Sequence, residues 1–170
     1  MRDEFAFRCV YCLRREAWGL VRGTFAVDHF LPAAVRPDLA AEYDNLVYAC
    51  ATCNKAKATR ELPDPAETLL RDDVRVTDDG RIEGDTPDAR RLIRVLGLDD
   101  PEYTEFRLLW IGIVALAARH DPELFRRLMG WPADLPDLAA LKPPGGNARP
   151  EGVTSSHFAR RARGELPETY

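Results

Sequence analysis

The sequence predicts an α+β fold, in which a small metal-organised unit of strand, loop and helix precedes a β-hairpin and a mainly helical extension. Three observations predict it. Four cysteines form two Cys-x-x-Cys pairs within the first 60 residues. Two alternating apolar runs flank Asp79-Gly80, which is a strong signal for a hairpin turn. Apolar runs preceded by helix-capping residues fill the chain after that turn.

The first unit is expected to run from a strand through a loop into a helix. Residues 25–32 are rich in β-branched and aromatic side chains and end at a proline, which predicts a strand entering a turn. Residues 42–50 lead from a polar loop into a short apolar segment. Good helix formers follow Thr52, a residue that can cap, as far as Arg60. Residues 61–65 contain two prolines and should end this helix.

A hairpin and a capped helix are expected next. Residues 74–83 form the two alternating runs of the hairpin. Thr86 or Asp88 can cap a helix over residues 89–96, which Gly97 should stop.

Two further helices complete the predicted extension. A long helix is expected from Pro101, a favourable first-turn residue, to about residue 120. Its centre, residues 108–116, is apolar on all sides and is expected to be buried core. A short helix should follow over residues 122–129. Residues 142–150 are rich in proline and glycine, which is typical of a linker, and residues 155–163 form a basic tail segment.

The chain is expected to divide into three parts: residues 1–62, residues 63–141 packing on them, and a linker and basic tail at residues 142–170. The net charge of -4 is unevenly spread. Residues 61–141 hold ten Lys/Arg and eighteen Asp/Glu, whereas residues 1–60 hold nine and seven. The acidic excess therefore lies away from the cysteines, and the chain as a whole should bind nucleic acid only weakly.

The cysteines are expected to hold a metal. The charged N-terminus does not resemble a secretory signal, and the longest apolar run is too short to span a bilayer, so we expect a cytoplasmic protein without a membrane partner. In a reducing compartment two Cys-x-x-Cys pairs favour a metal over disulfides. A thioredoxin-like role needs a βαβ unit, and no such pattern surrounds either pair. Four thiolates are typical of a structural zinc site.

The loop between the two cysteine pairs contains residues suited to phosphodiester chemistry. It is 37 residues long, whereas a plain zinc ribbon has about 15–20. It contains Asp28, His29 and Asn45, and Asn54 directly follows the last cysteine. An imidazole can take a proton from water near neutral pH, and carboxylate and amide oxygens suit a hard divalent cation. Since a strand alternates its side chains, Asp28 and His29 need a bend or bulge to face one substrate.

These motifs, in this order, resemble a known family. Cys-x-x-Cys, Asp-His-x-x-Pro, Asn-Leu and Cys-x-x-Cys-Asn-x-x-Lys, over residues 9–57, resemble the HNH (His-Me finger) endonucleases. In this chain an asparagine, Asn54, replaces the last histidine of the family motif, and this form is similar to that of phage endonuclease VII. The resemblance implies a zinc-stabilised ββα-metal finger and a metal-dependent endonuclease that hydrolyses DNA, with RNA not excluded.

The resemblance also implies a role for each motif residue. His29 would be the general base, and Asp28 with Asn54 would bind a catalytic Mg²⁺ or Mn²⁺. Asn45 would brace the loop that orients His29. The four residues implied to bind structural Zn²⁺ are Cys9, Cys12, Cys50 and Cys53.

Other interpretations stay open for several residues. Lys55 and Lys57 lie on the predicted helix beside the metal site, where they either contact nucleic-acid phosphate or are solvated charges. Asn45 could simply cap or turn the chain. Trp110 and Trp131 are assigned to the core rather than to a base-stacking platform.

Two further functional hypotheses stay open as well. The chain could be a non-catalytic zinc-ribbon module that binds nucleic acid or a partner protein. It could also be a nuclease effector of a bacterial defence system, inactive until an activating protein partner delivers it.

Overall fold

The computed structural model of the chain describes residues 1–2, 5–19, 24–70, 73–130 and 162–165. Trp131 and the Pro- and Gly-rich segment at residues 142–150 lie outside these residues. The basic tail segment at residues 155–163 also lies outside them, except for its last two residues. What the sequence predicts for these parts stays a prediction.

The N-terminal unit is a two-stranded antiparallel sheet followed directly by a helix. β1 (Phe25–His29) pairs with β2 (Leu46–Cys50), each residue facing a single residue of the other strand. α1 (Ala51–Lys57) begins at the residue after β2. Two short 3-10 turns, Pro37–Leu39 and Tyr43–Asn45, shape the loop between the strands. The predicted α+β class and the order of strand, loop and helix are confirmed.

The boundaries of α1 differ from the prediction. Cys50, and not Thr52, caps the helix, because its sulfur accepts a hydrogen bond from the Cys53 N–H at 3.4 Å. The helix ends at Lys57, earlier than expected, because Ala58 has a φ of 52°, which a right-handed helix cannot contain. One of the four cysteines therefore sets where this short helix starts.

A helix that the sequence did not predict precedes the hairpin. α2 (Pro65–Leu70) begins at the second proline of the segment expected only to end α1. The Asp64 carboxylate accepts a hydrogen bond from a backbone N–H of its first turn at 2.9 Å. The predicted hairpin is confirmed as β3 (Val74–Val76) and β4 (Ile82–Gly84), with Gly80 at a φ of 79° in the turn.

The third helix follows its capping signals. α3 (Pro87–Leu96) is capped by Thr86, whose hydroxyl accepts a hydrogen bond from the Ala89 N–H at 3.1 Å. It ends at Gly97, which takes the left-handed conformation that glycine adopts without steric cost.

One hydrophobic core joins the cysteine region to the hairpin and α3. Its buried side chains come from residues 9–13, from β2 and from the chain after α1. The members contributed after α1 include Leu62, Val74, Ile82, Leu92, Leu96 and Leu98. The N-terminal unit therefore does not bury its apolar surface alone, and the division at residue 62 stays a prediction.

A second, smaller core attaches the last two helices. α4 (Pro101–His120) and α5 (Pro122–Met129) have the predicted bounds. The Trp18 indole stacks on Trp110 with ring centroids 5.2 Å apart. Its N–H donates to the Leu128 carbonyl at 2.7 Å. Trp18 thereby docks the N-terminal region on both helices, and Trp110 packs against this core as expected.

The centre of α4 is not buried on all sides, so that prediction is wrong. Val114 and Ala117 are buried, but Leu109 and Leu116 are 61% and 60% exposed. Among the described residues, α5 and Trp18 cover one face of α4 only, which leaves the opposite leucines in solvent. The described helices all fall short of the length and apolarity that a bilayer-spanning segment needs.

Candidate active site and metal centre

The four cysteines lie close together and can hold a metal ion. Their sulfur atoms are all within 4.8 Å of one another, and all four side chains are buried and reduced. The Sγ atoms of Cys12 and Cys50 are 3.8 Å apart. Thiolates about 2.3 Å from a tetrahedral zinc ion have sulfur–sulfur edges of about 3.8 Å. The spacing and the soft sulfur donors therefore fit zinc.

The electrostatics of the cluster also favour a cation. Hydrogen bonds from Cys12 first, and then from Cys53 and Cys9, lower the pKa of the Cys50 thiol. The hydrogen bond with Cys50 raises the pKa of Cys12 well above the usual range, and the hydrogen bond with Cys12 does the same for the pKa of Cys53. One thiolate is thus stabilised at the expense of its neighbours, and four buried thiolates need a positive ion among them.

The first cysteine pair lies in a tight knuckle. The Leu13 N–H donates to the Cys9 carbonyl and the Cys9 N–H donates to the Arg14 carbonyl, both at 2.9 Å. Leu13 has a φ of 63°, which turns the chain back sharply. The Val10 N–H then donates to the Tyr48 carbonyl at 2.9 Å, which fastens the knuckle to β2. These bonds bring the first cysteine pair to the pair at the β2–α1 junction.

Asp28 is a buried carboxylate with two partners from different elements. The Tyr11 hydroxyl donates to its Oδ2 at 2.8 Å. The Lys57 ammonium lies 3.3 Å from its Oδ1. Burial first, and then the Asp28 charge, raise the pKa of Tyr11, so the phenol keeps its proton and acts as the donor. Asp28 is therefore held in a fixed orientation between the knuckle and α1.

His29 is the last residue of β1, and its ring is oriented by the loop. Its Nε2 lies 2.9 Å from the Ala40 carbonyl oxygen. Because a carbonyl oxygen can only accept, Nε2 carries the hydrogen, and in the neutral imidazole the Nδ1 lone pair is left to accept a proton. This tautomer is the one that a general base at Nδ1 requires.

Asn45 connects the start and the middle of the loop that carries the Ala40 carbonyl. Its Oδ1 accepts from the Leu31 N–H at 2.9 Å. Its Nδ2 donates to the carbonyls of Leu31 at 3.0 Å and Leu39 at 3.2 Å. Leu39 directly precedes Ala40, so the amide of Asn45 fixes the segment that orients His29.

Asn54 and the two lysines differ in their surroundings. Asn54 is half-buried in α1, and none of the described residues hydrogen-bonds to its carboxamide. It lies one turn before Lys57, so both side chains share the face of the helix that meets Asp28. Lys55 is exposed, whereas Lys57 is only 1% exposed. Lys57 is therefore no solvated charge, and of the two lysines only Lys55 lies where a phosphate can reach it.

No bulge brings Asp28 and His29 to one face. The ladder between β1 and β2 is regular through both residues, so their side chains leave the strand on opposite sides. Asp28 faces the knuckle and α1, and His29 faces the loop. The bend or bulge expected for a shared substrate is therefore absent from the ladder, and a phosphate that meets both groups has to lie beyond the end of the ladder at His29.

By donor type, the Asp28 carboxylate and the Asn54 amide suit a hard divalent cation. Asp28 offers a carboxylate, and Asn54 offers an amide oxygen that the described residues leave unbonded. Mg²⁺ and Mn²⁺ prefer such oxygen ligands and complete their coordination with water and phosphate.

The sequence did not predict that Tyr11 belongs to the site, or that Lys57 forms an ion pair with Asp28. The sequence carries no signal for Tyr11, because its contact with Asp28 depends on how the knuckle docks on the sheet. Helical spacing does give a signal for Lys57, since it is three residues after Asn54 and four after Cys53.

Comparison with known proteins agrees with this geometry. Residues 9–60 match the family described as HNH endonuclease. No curated protein and no solved structure matches the chain significantly. The matched segment is about a third of the chain and includes both cysteine pairs, β1, β2 and α1. Residues 9–60 are therefore an HNH endonuclease domain.

Proposed function

We propose that the protein is a metal-dependent endonuclease that hydrolyses DNA, with His29 as the general base. Nuclease activity is general to the HNH endonuclease family, and the domain implies a nucleic-acid substrate. The observation that carries the proposal is the hydrogen bond from His29 Nε2 to the Ala40 carbonyl. It holds the ring with Nδ1 available as a base, in a loop that Asn45 braces.

The reaction is a hydrolysis in which His29 moves one proton. Nδ1 takes a proton from water, the water oxygen bonds to phosphorus, and the bond from phosphorus to the leaving oxygen breaks. The leaving oxygen takes a proton from solvent water, and His29 then releases its proton to solvent. Asp28 and Asn54 would hold Mg²⁺ or Mn²⁺, which when bound polarises the phosphate and stabilises the leaving oxygen. Cys9, Cys12, Cys50 and Cys53 would hold structural Zn²⁺.

The test is incubation of pure protein with supercoiled plasmid and Mg²⁺ or Mn²⁺. Loss of a general base lowers a hydrolysis rate by about 10²–10⁴-fold. We expect the wild type to nick or linearise the plasmid and His29→Ala to lose this activity, with zinc content and fold retained. His120→Ala is the matched control, because that histidine is exposed at the end of α4 and should cut as the wild type does. Undiminished cutting by His29→Ala would remove the mechanism.

Two other outcomes distinguish the remaining hypotheses. Cutting of a matched RNA but not of DNA would change the proposed substrate class and leave the proposed roles of the site residues unchanged. Absence of cutting by pure wild type, restored by a bacterial lysate in a His29-dependent manner, would support an effector with an activating protein partner. Metal-independent nucleic-acid binding without cutting under any condition would favour the non-catalytic zinc module.

A further inference from the structure

Lys57 is a buried cation whose one ion-pairing partner among the described residues is Asp28. The exposed fraction of its side chain is 1%, and its ammonium is 3.3 Å from Oδ1 of Asp28. The other carboxylate oxygen, Oδ2, accepts the Tyr11 hydroxyl at 2.8 Å, and Tyr11 is fully buried. Both oxygens of Asp28 therefore have a partner before any divalent ion arrives.

Burial makes this ion pair hard to separate. An ammonium removed from water is strongly destabilised unless a carboxylate compensates it, and the carboxylate needs a cation in the same way. Lys57 is also the last residue of α1, where a positive charge is favourable beside the helix carbonyls. The ammonium should therefore stay at Asp28 as long as no other cation neutralises the carboxylate.

The contact with Lys57 conflicts with the role of Asp28 in metal binding. A divalent ion must approach a carboxylate oxygen to about 2.0–2.1 Å if it is Mg²⁺. An ammonium on the same carboxylate lies within a few ångströms of that position and repels the ion through a poorly screened interior. The Lys57 contact at 3.3 Å is longer than the Tyr11 contact at 2.8 Å, and at Oδ1 an arriving ion replaces one cation with another, so that the buried carboxylate stays neutralised.

We infer that Lys57 acts as a tethered cation that holds Asp28 in place, and that the catalytic divalent ion binds in competition with it. This inference rests on the proposed function, because it takes Asp28 as a ligand of that ion. Tyr11 stays on Oδ2 in both states and preserves the orientation of the carboxylate. Lys57 is thus a positioning residue for Asp28, and it keeps the affinity for the divalent ion low in the absence of substrate.

The inference is tested by Mn²⁺ binding to the full-length, zinc-loaded protein without nucleic acid. Paramagnetic resonance of free Mn²⁺ gives the dissociation constant. Lys57→Met removes the competing charge and keeps the length of the side chain, and we expect it to bind Mn²⁺ about tenfold more tightly, as removal of a nearby like charge predicts. Lys55→Met is the matched control, because it removes the same charge from an exposed position of α1. Its affinity should stay within about twofold of the wild type, since exposed charges are screened.

A conservative variant and a second neutral variant complete the series. Lys57→Arg keeps the cation and should bind Mn²⁺ as the wild type does. If Lys57→Met does not fold, Lys57→Gln supplies the neutral side chain with a hydrogen-bond donor. In either neutral variant Mn²⁺ should raise Tm more than in the wild type, because tighter binding to the folded state stabilises it more.

The outcomes separate this inference from the proposed function. Unchanged or weaker Mn²⁺ binding by the neutral variants, while Asp28→Asn abolishes binding, would overturn the role of Lys57 alone. Undiminished binding by Asp28→Asn would instead overturn the assignment of Asp28 as a ligand. Plasmid cutting by the wild type and His29→Ala tests the nuclease independently of both.

Discussion

The Asn45 side chain shapes the loop around His29 through three hydrogen bonds. Its carboxamide bonds to Leu31 at the start of the loop and to Leu39 in the middle of the loop. The next carbonyl, that of Ala40, accepts the hydrogen of His29. Asn45 therefore supports the imidazole through the loop, without a described hydrogen bond of its own to the ring.

Asn45→Asp tests this link with a side chain of the same shape. The aspartate keeps the acceptor but replaces the donor with a second oxygen, which faces two carbonyls in a buried site. A buried group left unsatisfied costs about 1–3 kcal/mol, so the free energy of unfolding should fall by that amount. Plasmid cutting should fall at least about tenfold, because small misplacements of a catalytic group are costly.

The control for Asn45→Asp is its neighbour. Asp44→Asn makes the opposite exchange at an exposed position and should leave both stability and cutting unchanged. Denaturant titration and the plasmid assay measure the two effects. Equal behaviour of the two variants would show that Asn45 does not brace the loop.

At the scale of secondary-structure elements, Arg107 joins three of them. Its guanidinium, buried in α4, donates to the Gly80 carbonyl in the hairpin turn at 2.6 Å and to the Leu98 carbonyl after α3 at 2.8 Å. It also bonds to the Thr104 hydroxyl at 3.3 Å. A planar fork of donors is needed to reach these groups at once.

Arg107→Lys should lower the free energy of unfolding by about 1.5–3 kcal/mol, because a single ammonium cannot replace the charged hydrogen bonds of the fork. Arg75→Lys is the comparison, since Arg75 makes ion pairs with Glu83 and Asp85 at the exposed surface. Such pairs contribute about 0–1 kcal/mol. Urea unfolding measures the loss of free energy of unfolding in both variants. Equal losses would show that buried Arg107 stabilises the fold no more than the surface ion pairs of Arg75 do.

The β1–β2–α1 unit and the knuckle should depend on the metal held by the cysteines. Removal of zinc with a strong chelator leaves four buried thiol groups without a central ion, and metal binding in such small units contributes directly to folding. We expect residues 5–60 to lose protease resistance after chelation and to regain it when zinc is restored. Retained resistance in zinc-free protein would show that the cluster is not a structural metal site.

Sequence signals predicted elements that start and stop locally, and failed where packing decides. Thr86 and Gly97 define α3 through capping and a left-handed turn, which depend only on neighbouring residues. The cap of α1 by Cys50 and the contact of Tyr11 with Asp28 depend on residues brought together by the fold. The apolar sequence of α4 could not show which face would be covered.

At the scale of the whole molecule, two cores share the N-terminal region. Residues 9–13 belong to the larger core, and Trp18, a few residues later, belongs to the smaller one with α4 and α5. Unfolding of the HNH endonuclease domain and unfolding of the helical extension should therefore be coupled. The clustering of the four cysteines was predictable from motif spacing, and the roles of His29 and Asn45 stay predictions, whereas this coupling had no sequence signal.

Substitutions at Trp18 measure the coupling. Trp18→Ala should lower the free energy of unfolding by about 3–5 kcal/mol, the usual cost of truncating a buried aromatic residue. Trp18→Phe loses chiefly the hydrogen bond to Leu128 and should cost less, about 1–2 kcal/mol. Circular dichroism and zinc release should report the same transition in the wild type. Separate transitions would show that the two cores unfold independently.

The position of Tyr11 between two cysteines of the cluster has a consequence for engineering. A knuckle transplanted from another zinc protein could keep the Cys-x-x-Cys spacing and still omit the phenol that reaches Asp28. Such a chimera would retain its metal content and its overall shape but lose the orientation of the carboxylate. In a designed library, the residue two positions after Cys9 should therefore be held as tyrosine even where the rest of the knuckle is varied.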